Sequence, residues 1–178
     1  MLALCVALAS PAYAQTLTVL QSFSGTNGNL PGPPVLDAAG NIYGNTQQGG
    51  PGEFGGYGNV YKLAHAGSGW VLENLYNFTA HNDGAFPLGG PTLGPDGALY
   101  GTASGEGAGG RGTVFKLQPP ATFCKSVTCP WNLTVLYSFS GSTDASDPYG
   151  DVVFDAAGNI YGTSYYGGTQ TNWERYGS

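Results

Sequence analysis

The chain has 178 residues, a formal net charge of −6 and charged side chains at only 9% of its positions. Its five basic residues are too few to neutralise a nucleic-acid backbone or an anionic membrane surface, which argues against both partners. The 31 glycines disfavour long helices and the hydrophobic content of 41% is too high for a disordered linker, so the composition predicts a folded, β-rich protein.

The N-terminal segment has the character of a secretory signal. Residues 1–9 are small or apolar, and Ala12-Tyr13-Ala14 has the small-x-small form of a signal-peptidase site before Gln15. The run is too short to span a membrane as a helix, and Leu4 stands where lipidation of Cys5 would require a small residue. Because the basic n-region is missing, we expect the recorded start to be internal or to lack its true beginning. These features predict a signal peptide over residues 1–14 and an exported mature chain.

Three near-copies of one pattern follow the signal segment. The first reads Asp37-Ala-Ala-Gly-Asn-Ile-Tyr43-Gly44, the third repeats it from Asp155 to Gly162, and the second is a looser copy from Gly94 to Gly101. Their tyrosines are 57 and 61 residues apart. A phenylalanine precedes each copy at a similar spacing. The residues that define the repeat are Phe23, Tyr43, Gly44, Phe78, Tyr100, Gly101, Phe139, Tyr161 and Gly162.

A third marker, Gly-x-Val-aromatic-Lys-Leu, occurs at residues 58–63 and 112–117, and its next copy is expected to begin at Gly177. A period of about 55–60 residues is typical of propellers or solenoids, whose units need neighbours to bury their apolar faces. We divide the chain into units of roughly 15–57, 58–111 and 112–176, with the third unit truncated. We expect a fragment of a longer array, because about three units cannot close a ring of four to eight blades.

Strand predictions are clearest for the middle copy. Alternation and turn residues predict strands at 60–64, 70–78, 91–93 and 98–102, which we group as one four-stranded, propeller-type blade. Alternation also places Tyr76 and Phe78 on one side of their strand and Leu75 on the other. The glycines after the three tyrosines are expected where a strand meets a turn and the backbone needs positive φ or close neighbours.

Two cysteines remain after processing, Cys124 and Cys129. In an exported protein, this spacing predicts a short local disulfide. The alternative, metal binding, needs further ligands nearby, whereas both histidines belong to an earlier unit.

Carboxylates are concentrated at Asp144, Asp147 and Asp151. Oxygen-rich loops of this kind bind Ca²⁺, so we retain these three residues as a weak calcium site. Carboxylate catalysis is less favoured, because only Asp144 has an aspartate, Asp83, at the aligned position of the second unit. No other cofactor is indicated. The shared spacing of Asp83 and Asp144 from a following proline indicates a turn capped by the aspartate.

Aromatic residues cluster late in the chain, at Tyr165, Tyr166, Trp173 and Tyr176. Aromatic loops on one face of a repeat array commonly serve recognition, so a sugar-stacking surface is one interpretation. The other is that these rings fill gaps between blades.

Taken in order, these markers resemble the GloVer tandem repeat of the choice-of-anchor bacterial surface proteins, over nearly all of the mature chain. The resemblance rests on residues 136–141, 155–164 and 112–117 and on Gly167-Gly168. It implies surface display without implying a reaction. The chain departs from the pattern at Gln21 (usually Tyr), at Asn45 (usually Thr) and in the Cys124–Cys129 insertion.

We therefore expect an all-β tandem-repeat protein with propeller-like blades, exported or displayed on a bacterial cell, with a binding or structural role and no enzymatic site. The partner is expected to be an extracellular glycan or protein, without membrane insertion. The alternative is a carbohydrate-active or glycan-binding propeller, in which acidic side chains from several blades converge.

Overall fold

The computed structural model describes residues 16–52, 55–120, 131–141 and 144–167. In these ranges the chain is all-β, as expected, and its antiparallel sheets do not close into a barrel. The predicted signal segment, Cys124 and Cys129 lie outside the described residues. The strands are β1 (Asn29–Pro31), β2 (Val35–Leu36), β3 (Ile42–Gln48), β4 (Asn59–Ala66), β5 (Gly69–Asn77), β6 (Thr92–Leu93), β7 (Leu99–Ala103), β8 (Thr113–Gln118), β9 (Asn132–Ser138), β10 (Ala145–Ser146), β11 (Val153–Phe154), β12 (Ile160–Tyr161) and β13 (Tyr166–Gly167).

Two successive sheets are antiparallel meanders of four strands. Meander 1 runs β2-β3-β4-β5, with β1 added beside β3, and meander 2 runs β6-β7-β8-β9. Their registers correspond, since Tyr43 lies opposite Lys62 in meander 1 and Tyr100 lies opposite Lys116 in meander 2. The hairpin of β11 and β12, which we call meander 3, repeats the first half of this arrangement and pairs Val153 with Tyr161. The matching tyrosine-bearing segments therefore share one conformation.

The prediction that the four middle strands form one sheet is wrong. All four exist within one or two residues of their predicted bounds, but β4 and β5 complete the first sheet, whereas β6 and β7 begin the second. The length of a repeat is the same whichever residue is taken as its start, so the repeat length alone does not show which strand begins a sheet. The backbone bond from Gly58 N–H to Gly49 O (3.2 Å) holds the two ends of the long β3–β4 connection together.

Each hydrophobic core is shared between neighbouring meanders. The larger core joins Tyr43 and Val60 of meander 1 to Leu99, Phe115 and Leu117 of meander 2. A second core places Ala98 and Tyr100, on the opposite face of meander 2, against Val152 and Phe154 at the start of meander 3. This sharing agrees with the expectation that one unit cannot bury its apolar face alone.

The predicted alternation along β5 is wrong at Leu75. The register shifts opposite Val60 and Tyr61, where a bulge inserts one extra residue into β5. Leu75 and Phe78 therefore join the same core, with 4% and 1% of their surfaces exposed. The bulge depends on how β4 pairs with β5, and the periodicity of the sequence gives no information on that pairing.

Gly44 and Gly101 lie inside strands, not where a strand meets a turn as expected, and they leave room for an aromatic ring, whereas Gly162 directly follows the end of β12. A Cβ at Gly44 would lie 2.3 Å from the Tyr61 hydroxyl, and one at Gly101 would lie 2.8 Å from Phe115 Cζ. The prediction of close neighbours is confirmed for these two glycines, and the alternative of positive φ is wrong. The repeat phenylalanines contact the same rings, since Phe23 lies 5.0 Å from Tyr61 and Phe78 lies 5.3 Å from Phe115 between centroids. We call the space between each glycine and phenylalanine the aromatic slot.

The joints between meanders also repeat. Phe86 N–H donates to Tyr57 O (2.9 Å), and Asp147 N–H donates to Arg111 O (3.1 Å) one repeat later. Both Phe86 and Asp147 precede a proline and have positive φ, 58° and 53°. This conformation is strained for residues with side chains, and it persists only where surrounding contacts require it. The bond from the preceding meander is one such contact.

Candidate functional site

The turn before each repeat tyrosine is closed by a carboxylate. In meander 1, Asp37 accepts bonds from the backbone N–H of Ala39 and Asn41 (both 2.9 Å) and from the Tyr43 hydroxyl (3.2 Å). Asp155 does the same for Ala157, Asn159 and Tyr161. We call this arrangement the turn clasp. Its backbone requires a left-handed residue, which is Gly40 in the first copy and Gly158 in the third (φ 82° and 86°).

Meander 2 builds the same turn clasp from a different position. Asp96, two residues later in the turn, accepts bonds from Ala98 N–H (3.2 Å) and the Tyr100 hydroxyl (3.0 Å). It also forms the salt bridge with Lys116 (2.7 Å). Lys116 Nζ lies 5.6 Å from the centroid of the Tyr100 ring, as Lys62 Nζ lies 5.9 Å from that of Tyr43. A lysine from the third strand of each complete meander therefore covers the clasp tyrosine.

These contacts favour the ionised carboxylates. The pKa of Asp37 is lowered mainly by the Asn41 amide, that of Asp96 by Lys116 and that of Asp155 by the Asn159 amide. Burial, reinforced by the charge of Asp37, raises the pKa of Tyr43 to about 12. In meander 1 the clasp is thus an ionised carboxylate bonded to a neutral phenol at physiological pH, which is a structural arrangement and not a proton-transfer pair.

A second clasp closes the loop after the last strand of each complete meander. Asp83 accepts bonds from the Tyr76 hydroxyl (2.9 Å), Thr79 N–H (2.8 Å) and Thr79 Oγ1 (2.7 Å). Asp144 holds Tyr137 and Ser140 in the same way. We call this arrangement the loop clasp. The expected aspartate-capped turn is present, and the capped N–H groups precede the aspartate.

We expect the Asp144 loop clasp to make the stability of the fold depend on pH in the acidic range. The Ser140 N–H, with smaller contributions from the Ser140 and Tyr137 hydroxyls, lowers the pKa of Asp144 from 3.8 to about 2. A carboxyl group whose pKa is lower in the folded state stabilises the fold at pH values above its unfolded-state pKa. This contribution is lost as the pH falls through the folded-state pKa. An NMR titration should place the Asp144 midpoint near pH 2, and the thermal midpoint of the wild type should fall below about pH 4 more steeply than that of Asp144→Asn. A midpoint at the ordinary aspartate value would contradict this assignment.

The three aspartates proposed for calcium have separate structural roles. The carboxylate of Asp144 holds the loop clasp and that of Asp151 accepts a bond from Gly90 N–H, whereas Asp147 forms the joint to Arg111 O through its backbone N–H. Within the described residues, His, Cys, Asp and Glu side chains form no group of three or more that could hold a metal ion. The calcium interpretation therefore has no grouped ligand set in this part of the chain.

Part of the predicted aromatic cluster is brought together on the surface. The Tyr165 ring lies 4.5 Å from Tyr166 and 5.2 Å from Tyr149 between centroids. All three are exposed, by 56%, 45% and 42% respectively. Sequence analysis missed Tyr149, whose one signal is its position directly after the joint proline. Trp173 and Tyr176 lie outside the described residues.

Stacked meanders held by repeated aspartate–tyrosine clasps define a tandem β-repeat protein. The family model described as the Gloeobacter/Verrucomicrobia repeat matches residues 9–172, and the chain belongs to this family. Neither the curated proteins nor the solved structures contain a match to the chain. Across the described ranges, the structure has no helix of the length and hydrophobicity that a membrane span needs.

Proposed function

We propose that this chain is a non-enzymatic, exported repeat protein, displayed on or secreted from a bacterial cell, whose meanders stack as propeller-like blades in a binding or structural role. The main support is the use of its carboxylates. Asp37, Asp83, Asp96, Asp144 and Asp155 all accept bonds from backbone or side-chain groups of their own turn or loop. Carboxylates engaged in this way lack the paired, substrate-facing arrangement that hydrolysis requires.

The sequential four-stranded meander supports the blade interpretation. Propeller blades are sheets of four strands arranged around a common axis, and here successive meanders pack face to face through shared cores. The low-charge, acidic composition agrees with this proposal, because it favours solubility and disfavours binding to nucleic acid.

Export is tested by expressing the whole chain behind an added basic n-region, which its first residues lack, in a bacterial host and sequencing the N-terminus of the product. We expect cleavage after Ala14 and recovery outside the cytoplasm, because residues 12–14 have the signal-peptidase form. The Ala14→Arg variant is the matched control and should keep its leader. A product that stays in the cytoplasm with residue 1 intact would contradict export.

The second candidate function is glycan binding, favoured by the exposed cluster of Tyr149, Tyr165 and Tyr166. Large aromatic faces offer apolar contact area at low conformational cost. On a polysaccharide that retains the wild-type protein, we expect Tyr165→Ala to weaken the retention by about tenfold. Val71 is exposed on meander 1, and Val71→Ala should leave the retention unchanged. The polysaccharide should be retained without release of reducing ends. Release of reducing ends would favour the enzymatic alternative instead.

A further inference from the structure

We infer that the open edge of β12 is a docking site for an extended segment with the pattern Gly-x-Val-aromatic-Lys-Leu, supplied by a further unit of this repeat. The central strands β3 and β7 pair on both edges, and in each case one partner is the strand with this pattern, β4 or β8. In the described part of the chain, β12 pairs with β11 alone. Its free edge offers backbone groups for strand addition.

The first complementary feature is an open aromatic slot. Among the described residues, the atom nearest to a Cβ at Gly162 would be Val152 Cγ1, at 3.5 Å, so no ring of this part of the chain covers the glycine. Phe139, the third repeat phenylalanine, lines the same space, as Phe23 and Phe78 border the filled slots. Within residues 131–141 and 144–167, the slot of meander 3 therefore has both walls and no aromatic ring between them.

The second feature is a cavity between meanders 2 and 3. Its volume is about 430 Å³, and its lining includes Val114, Leu136, Phe139, Val152 and Ile160. In meander 2, the side chains of Phe115 and Leu117 fill the corresponding interface with meander 1 and are buried. The aromatic and leucine positions of the incoming pattern match this apolar space.

The third feature is an uncovered turn clasp. Tyr161 is 54% exposed, whereas Tyr43 and Tyr100 are 7% and 8% exposed. Lysines of β4 and β8 lie over the latter two tyrosines, and Lys116 also pairs with a clasp carboxylate. The lysine of the incoming strand has the same position available over Tyr161 and beside ionised Asp155. Charge complementarity thus selects a segment with lysine at this position.

The pattern also limits the source of the strand. It occurs twice in the 178 residues, and both copies are central strands that already pair on two edges. A second folded copy of the chain has no free strand of this kind to donate. The occupant is therefore a repeat strand from outside these residues, which extends the stacking described above and does not depend on export.

The test uses the whole chain and a fluorescent peptide with the sequence of residues 112–118. We expect saturable binding, with slower hydrogen exchange at the amides of residues 160–164. Scrambling the peptide, or changing its phenylalanine to alanine, should weaken binding by at least about tenfold. Changing the peptide's lysine to glutamate should also weaken its binding to the wild-type chain. The same change should weaken binding to the Asp155→Asn variant by a smaller factor, because the lysine and the Asp155 carboxylate interact.

Gly162→Val provides the matched protein variant. The added side chain has room in the free protein but occupies the aromatic slot, so the variant should keep its circular dichroism spectrum and lose peptide binding. Val71→Ala should bind as the wild type does. Equal binding of the scrambled peptide, unchanged binding by folded Gly162→Val, or concentration-dependent dimerisation that blocks the peptide would overturn the inference. None of these outcomes bears on the export and glycan tests.

Discussion

Replacing Phe115 by alanine is expected to lower the free energy of unfolding by about 3–5 kcal/mol. The ring is 1% exposed, fills the aromatic slot over Gly101 and contacts Phe78 with 5.3 Å between centroids. Its removal leaves a cavity between meanders 1 and 2, and closely packed neighbours relax only partly into such space. Urea unfolding followed by circular dichroism measures the change.

Leu36→Ala is the control for this prediction. Leu36 is 62% exposed on β2, so its truncation should change the free energy of unfolding by less than about 0.5 kcal/mol. If Phe115→Ala unfolds at the wild-type urea concentration, the shared core contributes little, and the stacking of meanders cannot be the main source of stability.

Replacing Asp83 by alanine is expected to cost about 2–4 kcal/mol, because several donors lose one buried acceptor. The carboxylate holds the Tyr76 hydroxyl and the N–H groups of Thr79 and His81, and Asp83 is 8% exposed. Burial and the bond to Asp83 raise the pKa of Tyr76, so loss of the carboxylate should also let this tyrosine ionise at lower pH. Urea unfolding and an ultraviolet titration of tyrosine measure the two effects.

Asp144→Ala tests whether burial is the cause. Asp144 accepts the same set of bonds, but its partner Tyr137 is 48% exposed, and water can replace the lost acceptor there. We expect a smaller loss of stability than for Asp83→Ala, and an intermediate loss for Asp83→Asn, whose amide oxygen still accepts. Equal losses at residues 83 and 144 would show that the loop clasp acts independently of its surroundings.

The strands were predictable because their signals are local. Turn residues such as Pro95-Asp96-Gly97 and the alternation along residues 70–78 place strands within one or two residues of the observed bounds. The bulge at Leu75 and the division of strands between sheets were not predictable, because both depend on which strand lies alongside. The regular period of the repeat does not indicate which of its strands lie side by side.

The clasps were only partly predictable. Tyr43 and Tyr161 were recognised as repeat markers, but their bonds to Asp37 and Asp155 were missed, although each aspartate recurs six residues before its tyrosine. In the middle copy the carboxylate moves to Asp96, which hides the spacing while the three-dimensional contact persists. Tyr149 joined the exposed cluster unpredicted, because tertiary folding brings it to Tyr165.

The repeated joint determines how a larger assembly is shaped. Phe86 and Asp147 have nearly the same φ, and each donates a backbone bond to a carbonyl of the meander before, so both steps from one meander to the next are made through the same contact. Curvature in stacked repeats is the sum of such steps. A change at one joint, such as the replacement of its proline, should therefore alter how the two meanders beside it are oriented. The orientation at the other joint should not change.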